Sequence, residues 1–253
     1  MIPFLQSALE MLWPRRCEVC ARPCDRPERH VCSDCLMRIP FYPLHGCCAV
    51  CGRIMDTGDH GDVLCGECRN GARPHFDRVA NAIRFEDEAR RMVLDYKFNG
   101  HFWLLDDFAD WLEAAANVRL NPASVDLVLP MPITLCHRYD RGFNQCGYLA
   151  REVAKRIRRK CDYSILRRTG TPRRQAGLRR EERFANVAGT FDIRHSERIS
   201  GRTILVVDDV MTTGATLSEC AKTLKQAGAW RVFALSLARP IADIDIDCSA
   251  VQA

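Results

Sequence analysis

The chain has 253 residues, 47% hydrophobic and 27% charged, with a formal net charge of +5. This is the composition of a globular protein with room for one ordinary domain and a small one, and the charge is too modest to mark a chain built wholly as a polycation. The 15 cysteines are its unusual component.

Residues 1–13 are largely apolar but are broken by Pro3, Gln6, Ser7 and Glu10, and Arg15 and Arg16 follow the run instead of preceding it. That order is the reverse of a secretory leader, and no stretch is long enough to span a bilayer. The expectation is a cytoplasmic chain without membrane insertion, in which thiols stay reduced. Paired cysteines come next: Cys17-x2-Cys20 with Cys32-x2-Cys35, then Cys48-x2-Cys51 with Cys65-x2-Cys68. Each set offers four thiolates, the ligand set of a closed tetrahedral Zn²⁺ site with no open position for catalysis. Two structural Zn²⁺ are expected. Cys24 and His30 compete for places in the first set, and Cys47 competes with Cys48. So short a segment buries too little apolar surface to fold alone, so metal ligation supplies much of its folding free energy. Chelation is expected to unfold this part and leave the remainder intact. Cys136, Cys146, Cys161, Cys220 and Cys248 stand apart and read as small packing residues.

A boundary is expected near Arg73-Pro74, dividing the chain into a ribbon region (1–73), a larger domain (74–239) and a tail (240–253) that is acidic, aperiodic and expected to be disordered. In the larger domain, 79–85 reads as a strand, 87–97 as an amphipathic helix and 104–116 as another. Lys97, in Tyr96-Lys97-Phe98-Asn99-Gly100, is a candidate phosphate contact. A strand at 125–130 ends at Pro130-Met131-Pro132, whose extended backbone could turn free N–H groups toward a pyrophosphate. Arg138-Tyr-Asp-Arg141-Gly-Phe-Asn144-Gln145 then leads into a helix with Cys146, Leu149, Ala150, Val153 and Ile157 on one face. Arg138 and Arg141 are candidates to neutralise a pyrophosphate, with Asn144 and Gln145 donating nearby. A basic stretch follows, with Arg167, Arg168, Arg173, Arg174, Arg179, Arg180 and Arg183 opposed by Glu181 and Glu182. It reads as a mobile segment able to close over a bound phosphate or to lie along a nucleic-acid backbone.

The most informative run is 204–216, Ile-Leu-Val-Val-Asp208-Asp209-Val-Met-Thr212-Thr213-Gly214-Ala215-Thr216. Its apolar start reads as a central parallel strand, and the helix over 215–227 carries Leu217, Cys220, Ala221 and Leu224 on one face and closes at Gly228. The turn therefore lies at a strand's carboxyl end, where open α/β sheets bind ligands and where a helix N-terminus favours a phosphate. Gly214 permits close approach, and Thr212, Thr213 and Thr216 add hydroxyl donors. Carboxylates accept hydrogen bonds, so Asp208 and Asp209 suit ribose hydroxyls, directly or through Mg²⁺. The absence of Gly-Lys-Ser/Thr disfavours a nucleoside triphosphatase.

This run resembles the 5-phosphoribosyl-1-pyrophosphate (PRPP) motif of type I phosphoribosyltransferases. The resemblance implies a parallel sheet with flanking helices under a hood, ribose held by Asp208 and Asp209, a phosphate cradle from Thr212 through Gly214 and Ala215 to Thr216, and Mg²⁺ bound mainly by the ligand. Together with the cysteine knuckles, Tyr96-Lys97-Phe98-x-Gly100, Pro130-Met131-Pro132, Arg141-Gly-Phe-Asn-Gln145 and Gln175-x2-Leu178-x3-Glu182-Arg183-x2-Asn186-Val187, it resembles the competence protein F (ComF) family from about Trp13 to Arg239. In that family a double zinc ribbon precedes a phosphoribosyltransferase domain. The resemblance implies a protein of DNA uptake in natural transformation with a pocket for PRPP or a nucleoside monophosphate, and zinc ribbons beside an arginine stretch suit, by analogy, single-stranded DNA or a competence helicase as partner. If the chain is a transferase, Asp208, Asp209 and Arg141 are the expected catalytic residues. The alternative is an active phosphoribosyltransferase on an unidentified acceptor, unrelated to DNA.

Overall fold

In a computed structural model, the structure describes residues 15–43, 45–55, 63–133, 144–169 and 180–241, with the side chains of 180–183 excepted. The cysteine region holds two one-turn helices, α1 (Ser33–Leu36) and α2 (Gly66–Arg69), each starting on a cysteine at its N-cap. Beyond it come β1 (Arg78–Arg84), α3 (Asp87–Leu94), α4 (Leu105–Arg119), β2 (Leu127–Pro130), α5 (Gln145–Arg156), β3 (Lys160–Cys161), β4 (Leu166–Arg168), α6 (Arg180–Val187), β5 (Phe191–Ile193), β6 (Thr203–Val210), α7 (Ala215–Gln226) and β7 (Arg231–Arg239). Five strands form one sheet in the order β1-β7-β6-β2-β3 with every neighbouring pair parallel, while β4 and β5 make a separate antiparallel hairpin. An α/β parallel sheet with flanking helices is thus present, as the strand-turn-helix pattern predicts.

Near-continuous apolar runs make these strands, as expected where both faces are covered. Successive side chains alternate between two cores. Val128, Leu205, Val207, Leu235 and Leu237 join α3, α4, α5 and the first cysteine cluster, whereas Leu129, Ile204, Val206, Val232 and Ala234 join α7 and the β4–β5 hairpin. The direction of the sheet's winding reverses between β2 and β6. From β2 the chain passes through α5 to β3 on one side, and from β6 it passes through α7 to β7 on the other. A crevice at such a reversal, at the carboxyl ends of the strands, is where open α/β sheets take ligands. Pro130 and Asp209 flank it.

Two local features depart from the sequence reading. The helix expected over 87–97 ends at Leu94, and Asp95–Asn99 continues as a π turn closed by Gly100 in the left-handed region (φ 72°). β7 lies between β1 and β6, yet the sequence reading gives it no element. The ribbon region also packs directly on the domain that follows. Cys17, Val31, Cys32, Cys35 and Ile39 share a core with α4. Arg26 pairs with the fully buried Asp107 at 2.8 Å, and Arg29 pairs with Asp110. Among the described residues no helix is long and apolar enough to cross a membrane.

Candidate functional site

Two thiolate clusters form in the ribbon region: Cys17, Cys20, Cys32 and Cys35, and Cys48, Cys51, Cys65 and Cys68, the sulfurs of each set lying within 4.8 Å of one another. Cys20 and Cys32 Sγ are 3.8 Å apart, and Cys51 and Cys65 Sγ 3.6 Å. A tetrahedron with bonds of about 2.3 Å has edges of about 3.8 Å, so both clusters fit Zn²⁺. Cys24, Cys47 and His30 stay outside the sets. Cys47 donates to the Pro43 carbonyl, and the His30 ring lies against Trp103. The backbone supports the thiolates in each cluster: Cys32 N–H donates to Cys17 Sγ. Hydrogen bonds from Arg22 bring Cys20 down to about 6. Burial works to raise Cys48, but the N–H groups of Cys65, Cys51 and Val50 outweigh it and bring that thiol down to about 6 as well.

The second site is built at the end of β6. Alternation along the strand sends Asp208 toward the α7 side and Asp209 toward the α3 side, so the doublet straddles the strand end. Both carboxylates are buried, and the strand partly holds them itself, Asp209 N–H donating to Asp208 Oδ1 at 2.9 Å and Val210 N–H to Asp209 Oδ1 at 2.7 Å. The Cys146 thiol, at the start of α5, donates to Asp208 Oδ1 at 3.4 Å. Burial first, then the charge of Asp209, pushes the Asp208 carboxyl up to about 7.

On the other side, Lys97 Nζ lies 2.7 Å from Asp209 Oδ2. Burial works to lower this ammonium, but Asp209 holds it above the ordinary lysine value. Its placement depends on the π turn, a feature found often at functional sites. Gln145 Nε2 donates to the Lys97 carbonyl at 2.6 Å, and Tyr96 Oη donates to the Gln145 carbonyl at 3.0 Å. Gln145 Oε1 is buried without a partner among the described residues.

The turn after β6 is anchored and tight. Met211 N–H donates to both the Ala238 carbonyl and Ser236 Oγ of β7. Gly214 caps α7 with φ 81°, the left-handed backbone that favours glycine, and a Cβ there would press on the Met211 methyl at 2.7 Å. Thr213 Oγ1 accepts from Ala215 N–H, and the Thr212 and Thr216 side chains are partly exposed beside the helix start. The structure therefore brings Lys97, Asp208, Asp209 and the 212–216 turn together. Arg138 and Arg141 lie outside the described residues, as do Arg173, Arg174, Arg179 and residues 242–253 of the tail.

Three expectations change. Asn144 and Gln145 each already commit an amide donor within the chain: Asn144 caps α5 through Cys146 N–H and donates to the Met131 carbonyl, and Gln145 holds Lys97. Met131 N–H is likewise taken, by the Val207 carbonyl at 2.8 Å. Arg167 and Arg168 belong to β4, not to a mobile segment. Arg168 lies over the Phe191 ring, close enough to feel the Asp208 charge, and burial lowers its guanidinium. The sequence reading also passed over Cys146 as a polar contact, since an isolated cysteine carries no signal of what it faces.

Comparison with known proteins gives two matched regions. Residues 8–73 match the double zinc ribbon domain family, and residues 144–247 match the phosphoribosyl transferase domain family. Over most of its length the chain is similar to competence protein F of Haemophilus influenzae, at 25% identity over 88% of this chain and 96% of the relative. It is similar also to the DNA utilization protein YhgH of Escherichia coli K12, at 25% identity over 81% of this chain and 96% of the relative. Competence protein ComFC of Bacillus subtilis is 23% identical over 80% of this chain and 81% of the relative.

Proposed function

Because the chain belongs to the competence protein F family, a double zinc ribbon joined to a phosphoribosyltransferase domain, we propose that the end of β6 binds the phosphoribosyl part of PRPP or of a nucleoside 5′-monophosphate, in a cytoplasmic protein that serves DNA uptake. The observation that carries this reading is the buried acid doublet immediately before a glycine-capped helix N-terminus, at the reversal of the sheet. In it Asp208 and Asp209 accept from ribose hydroxyls, while the N–H groups of 212–216 and the threonine hydroxyls take the 5′-phosphate. Arg138 and Arg141 are assigned to the pyrophosphate. The carboxylate donors are of the hard oxygen type that Mg²⁺ accepts, but Asp209 already carries a lysine and Asp208 a thiol, which fits an Mg²⁺ held by the ligand's own oxygens. When bound there, Mg²⁺ supplies charge neutralisation for a departing pyrophosphate. The division into 1–73, 74–239 and 240–253 stands as part of the same proposal.

Calorimetry with PRPP and Mg²⁺ tests the site: binding is expected, with loss in Asp208→Asn/Asp209→Asn, and absence of heat from PRPP and from every nucleoside monophosphate on folded protein would sink it. Transfer is tested by pyrophosphate release against nitrogenous bases and ammonia. Acceptor-dependent release that vanishes in the double variant makes the chain an enzyme with Asp208 and Asp209 in its catalytic machinery, the same loss in Arg141→Ala adds Arg141 to it, and silence across the panel makes it a binding protein. The names competence protein and DNA utilization protein among its relatives support a role with DNA, and single-stranded DNA and a competence helicase are the partners proposed for the ribbons and the arginine stretch. Affinity for DNA should then fall with salt and with neutralisation of Arg173, Arg174, Arg179 and Arg180.

A further inference from the structure

Lys97 is bound to the acid doublet, not turned toward the phosphate turn. Its Nζ lies 2.7 Å from Asp209 Oδ2, with the lysine side chain 18% and the aspartate side chain 9% exposed. The backbone under it is fixed on several sides. Asp95–Asn99 is a π turn, Gly100 closes it at φ 72°, Gln145 Nε2 holds the Lys97 carbonyl, and Tyr96 Oη is tied to the Gln145 backbone. The zinc knuckle adds a further tie beside this turn: Glu18, between Cys17 and Cys20, accepts from Trp103 Nε1 at 2.9 Å and meets His101 Nδ1 at 3.0 Å. An ammonium held this way is a built component of the pocket. Elementary electrostatics then decides what the doublet can take. Two adjacent buried carboxylates without a counter-charge would bind a divalent cation strongly, whereas a pair already sharing one ammonium has little use for a second cation and keeps lone pairs for neutral donors.

We propose that Lys97 is a specificity-determining residue: by occupying Asp209 it makes the doublet a receptor for the vicinal hydroxyls of a ribose with no metal ion at the carboxylates, so that divalent cation enters only with a ligand that carries its own pyrophosphate. This rests on the sugar-phosphate reading above, which already gives the ribose to the doublet, and adds the residue that keeps a metal ion off it. Lys97 acts here as a positioning charge, and its backbone clamp is what sets Nζ over Asp209. Removing the charge converts the doublet into a cation site, and ribose binding then becomes dependent on Mg²⁺ bridging the carboxylates and the hydroxyls.

The experiment uses ribose 5-phosphate, which lacks a pyrophosphate, titrated calorimetrically into the full-length zinc-loaded protein. Mg²⁺ is either present or withheld by metal-free buffer without chelator, which spares the zinc. Wild type is expected to bind equally well in both buffers, within about threefold. Lys97→Met is expected to lose at least tenfold in affinity without Mg²⁺ and to regain most of it with Mg²⁺, and to bind Mg²⁺ alone where wild type does not. Lys97→Gln, which keeps a donor to Asp209 but no charge, should behave as Lys97→Met does and stands in if the methionine variant fails to fold. Wild-type binding that needs Mg²⁺, or neutral variants that bind ribose 5-phosphate metal-free as wild type does, would overturn the assignment while leaving the sugar-phosphate site standing. If wild type binds neither ribose 5-phosphate nor PRPP in either buffer, the site reading itself falls and this inference with it.

Discussion

At the junction of the first ribbon with α4, the buried Asp107 accepts from Arg26 NH1 at 2.8 Å and from His30 N–H at 2.7 Å, so each oxygen of a carboxylate taken out of water has a donor, although burial still holds the carboxyl above the ordinary aspartate value. At the end of β6, two buried carboxylates share one ammonium and one thiol, and Gln145 Oε1 beside them has no partner among the described residues. The first arrangement spends its charge on holding two parts together. The second leaves hydrogen-bonding capacity unspent, which costs folding stability and keeps acceptors available for a ligand. The two regions should therefore respond oppositely to mutation: damage at the junction loses stability, and neutralisation at the strand end gains stability while losing binding.

The largest effect should come from the metal. The protein is expected to hold about two Zn²⁺, and Cys17→Ser or Cys32→Ser should lose one of them, as read by metal analysis. Because Cys17, Cys32 and Cys35 belong to the core that also contains Phe108, Trp111 and Leu112 of α4, the loss should lower the melting temperature of the whole molecule. This revises the expectation that chelation spares the larger domain. Cys48, Cys51, Cys65 and Cys68 form a small cluster of their own, tied to the sheet by Arg239 donating to the Cys51 carbonyl and to the end of α4 by Arg119 donating to that of Cys48. Cys65→Ser should accordingly melt locally, with hydrogen exchange accelerated in 46–73 and little changed in α4. Equal global losses from both clusters would refute the distinction.

Next in size is Asp107→Ala. Removing the acid strands a guanidinium and an amide N–H at a closed junction, for which the expected cost is roughly 3–5 kcal/mol in denaturant unfolding. Asp107→Asn keeps an acceptor and should cost distinctly less.

At the strand end the sign reverses. The folded state holds a proton on Asp208 up to about pH 7, because of burial and the neighbouring Asp209, whereas an unfolded aspartate releases it near pH 4. The folded state thus binds the extra proton between those values, so stability is greatest below about pH 4, falls as pH rises toward 7 and is level above it. Asp208→Asn removes that fall. Its Oδ1 still accepts from Asp209 N–H, and the variant should be more stable than wild type above pH 7, by roughly 2–4 kcal/mol, with the difference vanishing toward pH 4. The charged and titratable groups around Asp208 among the described residues are Asp209, Lys97, Cys146, Arg168 and Cys220. Ribose-phosphate affinity should show the complementary trend, rising through pH 7 in wild type beyond what phosphate ionisation gives. A variant no more stable than wild type at pH 8 would refute the idea that this end of the sheet gives up stability for function.

Much of this was legible in the chain because the chemistry is local. The thiolate sets follow from two-residue spacings, and the strand, doublet, glycine turn and helix follow one another within thirteen residues, so each residue's neighbours in space are its neighbours in sequence. The sequence reading assigns no strand at β7, although Val232-Phe-Ala-Leu-Ser-Leu-Ala238 is an apolar run interrupted only by Ser236 and ending before Pro240, the pattern of a strand buried on both faces. The pairing of Lys97 with Asp209 was out of reach for a different reason. Tyr96-Lys97-Phe98 has no feature that distinguishes a π turn from the last turn of an α-helix, and the cation's partner lies on a distant strand. For the same reason Gln145 read as a donor to ligand when it is the clamp on Lys97.

Cys146 offers the smallest test and the finest. A thiol is a weak donor, and at 3.4 Å its contact with Asp208 Oδ1 orients the carboxylate more than it stabilises it. If that orientation serves ribose binding, Cys146→Ala should reduce affinity for a nucleoside monophosphate about two- to fivefold, with a stability loss of roughly 1 kcal/mol from the small cavity. Cys146→Ser restores a donor of similar size and should recover the affinity, even though burying a hydroxyl can cost stability. The two variants separate packing from positioning. A cysteine that only fills space predicts that alanine and serine leave affinity alone and differ in melting temperature, whereas a cysteine that aims Asp208 predicts that affinity follows the donor.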